Sequence, residues 1–178
     1  MLRKFKSWFD HEPPAALRFA EQTLTFNDTT YTLRRMTNAD IDAAMGIERA
    51  VYSGDTPWDR MAFLSELRKV QHGLYLVLAG DYGIDAFIGC SFIGTEAHIT
   101  NLAVGPSVRR LGIGEALMRV MIAKAYDFGA RQLTLEVATD NAAAQALYHK
   151  LGFYDGAIKQ GYYAGTHKDA MDMWRPLD

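Results

Sequence analysis

Hydrophobic and polar positions follow two alternating periods along this chain, and the switches between them outline its elements. Thr100, Leu102 and Val104 alternate with Asn101, Ala103 and Gly105, the two-residue period of a strand that Gly105-Pro106-Ser107 brings to an end. Ile113, Leu117, Val120, Met121, Ala125 and Phe128 then recur at three- and four-residue steps, a helical stripe closed by Gly129. Upstream, two short alternating runs flank Asn27-Asp28 and predict a small hairpin that ends in the first sheet strand. Thr37 with Asp40 three residues on predicts a cap for a helix running through Glu48 to Val51. Thr56-Pro57 predicts the cap and first turn of a second helix, which continues through Phe63 and Leu67 to Gly73. Residues 74–79 and 86–93 read as a hairpin leading into the strand at 96–104.

After the long helix, Leu133, Leu135 and Val137 face one side of a strand, and Gln132, Thr134 and Glu136 the other. Asp140-Asn141 caps a helix whose Ala144, Leu147, Tyr148 and Leu151 share a face, and Gly152 closes it. Residues 157–163 and 170–174 supply two last strands. The predicted order is βααβββαβαββ, an α/β fold with a mixed, mostly antiparallel sheet and helices on both faces.

Composition narrows the reading in four ways. A chain of 178 residues, about half of them apolar, suits one well-filled core, so residues 23–178 are expected to form a single domain. A formal net charge of −2 gives no basic footprint for nucleic acid, so a phosphate-bearing ligand has to be met by a local site. The single cysteine, Cys90, can form no internal disulfide and reads as a small buried apolar residue in a reducing, cytoplasmic protein. No apolar run reaches the roughly 20 residues of a membrane span. Residues 1–22 stand apart as an extension: Leu2, Phe5, Trp8 and Phe9 are interleaved with Arg3, Lys4 and Lys6, a pattern that fits either an acidic partner or membrane surface, or a helix packed on its own domain.

Between the strand ending at Val104 and the helix at Ile113 lies Arg109-Arg110-Leu111-Gly112-Ile113-Gly114. Glycines here let backbone N–H groups turn toward an anion at the positive end of the helix. A dinucleotide fingerprint would need a third glycine or alanine near Leu117, and a P-loop would need Gly-Lys-Ser/Thr, so both are excluded by spacing. The pattern Arg-x-x-Gly-x-Gly after an Ala-Val strand end resembles the acyl-CoA loop of the GCN5-related N-acetyltransferase (GNAT) superfamily. Leu135-Glu136-Val137, Asn141, Ala146-Leu147-Tyr148, Leu151-Gly152-Phe153, Tyr162-Tyr163 and Asp169-Ala170 narrow the resemblance to the ribosomal-protein-alanine acetyltransferases of the RimI type. The likeness runs from about Tyr31 to Leu177 and includes Glu48 and Pro57-Trp58.

The resemblance implies acetyl-CoA as the acetyl donor, with no metal, held by Leu102, Ala103, Val104, Arg109, Arg110, Leu111, Gly112, Ile113, Gly114, Asn141 and Tyr148. It also implies a role for each catalytic side chain. Glu136 would take the amine proton through a water, Tyr148 would protonate the departing thiolate, and the Val104 N–H would polarise the carbonyl. Read without the resemblance, Glu136 is a solvated strand carboxylate and Tyr148 an aromatic on the inner stripe of its helix. Glu48, Trp58, Tyr162, Tyr163 and Asp169 are the implied acceptor-side residues, although on type alone Glu48 is a solvated helix charge and Trp58 a contact near a cap. His98 alternates out of its strand with no partner at metal-ligand spacing.

Departures from the family pattern fall on the acceptor side. Gly161 precedes the tyrosine pair where the family has asparagine, Ala164 replaces a proline, and the loop at 165–168 is short. The implied function is acetyl transfer to the N-terminal α-amine of a protein, a ribosomal protein with N-terminal alanine. Two other readings stay open on the same residues: acetylation of a small amine, and a CoA-binding module without catalysis.

Overall fold

The computed structural model describes residues 12–52, 54 and 56–177. In chain order the elements are β1 (Gln22–Phe26), β2 (Thr29–Arg35), α1 (Ile41–Val51), α2 (Arg60–Leu67), β3 (Gly73–Gly80), β4 (Gly83–Ile93), β5 (Glu96–Val104), α3 (Ile113–Phe128), β6 (Gln132–Ala138), α4 (Ala142–Lys150), β7 (Tyr154–Tyr163) and β8 (Lys168–Pro176). All eight strands form one sheet in the order β1-β2-β3-β4-β5-β6-β8-β7, antiparallel at every pairing except β5 with β6.

This is the expected α/β architecture with one strand more. The Asn27-Asp28 turn, both residues in the left-handed region, closes a hairpin whose first arm pairs along its whole length and joins the sheet as β1. The second helix also starts later than Thr56-Pro57 suggested. Asp59 caps it, accepting from Ala62 N–H at 2.8 Å, while the Trp58 backbone N–H is drawn to Glu48 Oε2 at 3.3 Å. Thr37 and Asp40 form the expected capping box, by way of a 3-10 turn at Asn38–Asp40.

Strand alternation sends the two sheet faces into separate cores. Leu74, Leu76, Leu78 and Ile88 join Leu133 and Leu135 against Leu117, Met121, Tyr148 and Leu151 of α3 and α4. Tyr75, Val77, Phe87 and Ala103 point the other way, onto Ile41, Ala44, Ile47 and Phe63 of α1 and α2. β3 is therefore covered on both faces and reads as a continuous apolar run. Cys90 is fully buried in the first core.

Residues 1–11 of the extension lie outside the described residues. The rest of it packs on the domain: Leu17 is fully buried, its carbonyl accepts from Arg35 Nη2 at 2.7 Å, and Lys124 Nζ of α3 reaches the Arg18 carbonyl at 2.9 Å.

Candidate active site

Among the described residues, the one parallel pairing is also the shortest in register. β5 and β6 match at Glu96↔Gln132, Ala97↔Leu133 and His98↔Thr134, and then separate. Two residues past the last pair, at Thr100, a bulge breaks the β4–β5 ladder: Cys90 pairs with Ile99, Gly89 with Asn101, and Thr100 has no opposite residue. Beyond the bulge, one edge of β5 from Asn101 to Val104 faces away from β4 and is not paired with β6. Gly105 N–H crosses to the Asp85 carbonyl at 2.8 Å, and consecutive N–H groups of an extended chain point to opposite edges. The Val104 N–H consequently points into the opening between β5 and β6.

The loop that follows is shaped for an anion. Arg110 (φ 66°) and Gly112 (φ 83°) are both left-handed, and Gly112 stands at the N-cap of α3 with no side chain capping the helix. The first-turn N–H groups of α3 are thus left for an outside acceptor. A Cβ on Gly112 would meet no atom within 4 Å, so the space above the loop is open. Arg109 and Arg110 are exposed on the same loop, and Leu102 and Val104 lead into it from β5. The backbone and charge of this segment fit a diphosphate. At α4, Asn141 Oδ1 caps the helix by accepting from Ala144 N–H at 3.1 Å, and its amide nitrogen can donate to a ligand. Among the described residues no group of three or more His, Cys, Asp or Glu could hold a metal ion.

Glu136 is not a solvated carboxylate. On the β6 face away from the core, its Oε1 accepts from Lys159 Nζ at 2.8 Å and its Oε2 lies 3.0 Å from His98 Nε2. Lys159 also reaches Asp172 Oδ1 at 2.8 Å, and its ammonium sits 5.5 Å from the centre of the Tyr162 ring. These contacts, the His98 bond first, hold the Glu136 carboxyl down to about 2. His98 Nδ1 in turn pairs with Thr134 Oγ1 at 2.7 Å. If Nε2–H donates to Glu136, Thr134 donates to Nδ1. Were the ring to take up a proton, Nδ1–H would donate to Thr134, whose hydroxyl can turn to the Ala97 carbonyl at 3.5 Å. The geometry accommodates both states. A pocket of about 350 Å³ lined by His98, Glu136, Lys159 and Trp174, among others, lies on this face.

Tyr148 projects inward from α4 and is 8% exposed, its ring 5.9 Å from that of Phe153. Burial, followed by the neighbouring hydroxyls of Tyr52 and Tyr163, pushes its phenol above the ordinary value. Tyr163, reached by Tyr52, Tyr162 and Glu136 in turn, is pushed up to about 12, mainly by burial. Tyr162 packs edge-on against Tyr163 at 5.1 Å.

Glu48 departs furthest from expectation, for it is fully buried rather than solvated. Its Oε1 accepts from Asn101 Nδ2 at 2.7 Å, and its Oε2 from the Trp58 backbone. Trp58 packs on Phe63 at 5.3 Å. Asp169 braces the β7–β8 hairpin, with Oδ1 accepting from Gly161 N–H at 2.8 Å just before the tyrosine pair.

Electrostatic proximity links Glu48 to Tyr52, Tyr52 to Tyr148 and Tyr163, and Tyr163 to Tyr162 and Glu136, while the Trp58 backbone bonds Glu48 and Asp169 supports the hairpin. Three residues of this constellation were not singled out as site residues from the sequence. His98, read as lacking a partner at metal-ligand spacing, meets Glu136 beside the last β5–β6 pair. Lys159 carried no pattern signal. Tyr52 follows α1 one turn after Glu48, a spacing that could have linked the two.

Comparison with known proteins agrees with this geometry. The acetyltransferase (GNAT) family matches residues 41–153. The ribosomal protein bS18-alanine N-acetyltransferase of Salmonella typhimurium is 34% identical over 148 residues, covering 82% of this chain and 97% of that protein. The crystal structure of the ribosomal-protein-S18-alanine N-acetyltransferase from Escherichia coli superposes with a TM-score of 0.73 at 31% identity, over 83% of this chain and 94% of that one. Ard1 from Thermoplasma volcanium gives a TM-score of 0.74 at 28% identity, over 83% and 98% of the two chains. With the family matched over most of its length, this chain is an N-acetyltransferase that belongs to the GNAT family and, within it, to the ribosomal-protein-alanine (RimI-type) branch.

Proposed function

We propose that the protein acetylates the N-terminal α-amine of a protein, and specifically an N-terminal alanine of a ribosomal protein, as the names of its relatives describe for them. The observation that carries this reading is the Glu136–His98 pair, set where β5 and β6 part. The GNAT family uses acetyl-CoA, and its thioester would supply the acetyl group in the opening between those strands. Arg109 to Gly114 and the first turn of α3 would hold the diphosphate, Asn141 the chain beyond it, and the Val104 N–H the carbonyl oxygen.

Deprotonation of the acceptor falls to Glu136 and its neighbour. A carboxyl held near 2 is a weak place for a proton to rest. His98, bonded to the same carboxylate at 3.0 Å, sets an imidazole nitrogen beside it. A water on Glu136 would pass the amine proton to this pair. Tyr148, whose phenol stays protonated throughout the working range, would give its proton to the departing sulfur. Glu48, Tyr162 and Tyr163 would line the acceptor's approach, with Trp58 and Asp169 fixing them.

Protonation arithmetic favours an α-amine over lysine. With pKa values near 8 and 10.4, roughly a tenth of α-amines but only about four in ten thousand lysines are neutral at pH 7. Glu136→Gln is therefore expected to lose most single-turnover activity at low pH and to regain part of it as pH rises through the α-amine's pKa. A loss of equal size at every pH would remove Glu136 from deprotonation.

A further inference from the structure

Lys159 takes no part in the chemistry above, yet it is tied to two carboxylates and an aromatic ring on this face of the sheet. Its ammonium touches Glu136 and Asp172 at 2.8 Å each and lies over the Tyr162 ring. The polar and titratable groups that share its pocket come from three strands, His98 from β5, Thr134 and Glu136 from β6 and Asp172 from β8, and Tyr162 of β7 lies under its ammonium.

A carboxylate placed to receive a proton from an amine creates a difficulty of its own. Its negative charge stabilises the ammonium form of the amine bound beside it, and the ammonium is not a nucleophile. Here two carboxylates, Glu136 and Asp172, face the same pocket, so the opposing effect would be doubled. Lys159, ion-paired to both, halves that negative field; it engages Glu136 Oε1, while Oε2 keeps its contact with His98.

We propose that the Lys159 ammonium keeps the acceptor amine, bound beside Glu136, in its neutral and nucleophilic form; this rests on the reading of Glu136 given above. Lys159 is in this sense a positioning residue for charge, acting on the acceptor through the field in the pocket. A fixed like charge within about 4–6 Å disfavours a cation by about one pKa unit or more, so the neutral fraction of bound amine would rise on the order of tenfold.

The test compares wild type with Lys159→Met and Lys159→Arg, using single-turnover acetylation of an alanine-terminated peptide across the pH range that spans the α-amine's pKa, near 8. Lys159→Met is expected to be about tenfold slower below that pKa, with its inflection displaced upward by about one unit, and to converge on wild type above it. Lys159→Arg, which keeps the charge, should overlay wild type. Should the Met protein fail to fold, Lys159→Gln carries the same comparison.

A Met variant slowed equally at every pH, or unchanged, would overturn the proposal and leave Lys159 a structural ion pair. Failure of the underlying reading looks different. Glu136→Gln would then show a pH-independent loss, whereas a pH-dependent loss in Glu136→Gln with a flat Lys159→Met would sink the Lys159 assignment alone.

Discussion

Tyr148 shows how much one side chain's type can convey. Its helical spacing places it on the inner stripe, where Phe would pack equally well, so the proposed role as acid rests on the hydroxyl alone. Tyr148→Phe should keep its melting temperature and acetyl-CoA affinity and lower single-turnover rate by a factor on the order of 100. A rate near wild type, measured where chemistry is limiting, would return Tyr148 to the core. Asp40 illustrates a purely structural charge. Arg34, bonded to both its oxygens at 2.8 Å, holds its carboxyl down to about 2. A carboxyl lowered on folding stabilises the native state above its unfolded pKa, near 4, and that contribution is lost as pH falls toward 2. Asp40→Asn should therefore cost about 2 kcal/mol at neutral pH and little near pH 2, as read by denaturant melts at both pH values. Glu48 and His98 were opaque to residue-by-residue reading for one reason: glutamate and histidine on regular elements are most often solvated, and their burial or pairing depends on strands distant in sequence.

At the scale of elements, periodicity located all but one of the helices and strands described, because one face of most of them is buried in one of two cores. It missed the full length of β1, and it placed the start of α2 too early, where Thr56-Pro57 and Asp59 compete as caps and the Trp58 N–H is claimed by Glu48. The bulge at Thr100 was equally hidden, since alternation through the strand looks regular until Tyr75 is seen reaching over Gly89 to bond Thr100 Oγ1 at 2.7 Å. A Cβ at Gly89 would lie 2.1 Å from that ring, so Gly89→Ala should lower stability by about 2 kcal/mol or more, as overpacked cores do, and an unchanged melting curve would contradict this packing.

The phosphate loop allows a controlled comparison along one helix. Gly112 and Gly129 bracket α3 with φ of 83° and 84°, and an added Cβ meets nothing within 4 Å at either. Alanine at each should cost about 1 kcal/mol of backbone strain. Only Gly112→Ala should also weaken acetyl-CoA binding by calorimetry; equal affinities in the two variants would dissociate the loop from the cofactor.

Over the whole molecule, the described strands part at their single parallel pairing, and the proposed chemistry is set there. The three paired residues of β5 and β6 hold His98 beside Thr134 and Glu136, and the strands separate immediately beyond. Helices on both sides then deliver Glu48 and Tyr52 from one face and Tyr148 from the other. Local motifs announced the loop and Tyr148, whereas the Glu136–His98–Lys159 cluster is a product of topology, joining β5, β6 and β7 across 62 residues of chain from His98 to Lys159. The acceptor is what this arrangement is proposed to select. The direct measurement is mass-spectrometric mapping of the acetyl group on a peptide that carries both a free N-terminal alanine and an internal lysine, alongside its N-terminally blocked counterpart. Acetylation at the α-amine, with the lysine largely unmodified and the blocked peptide inert, is the predicted result. Acetyl groups on the lysine side chain, or equal reaction of the blocked peptide, would contradict it.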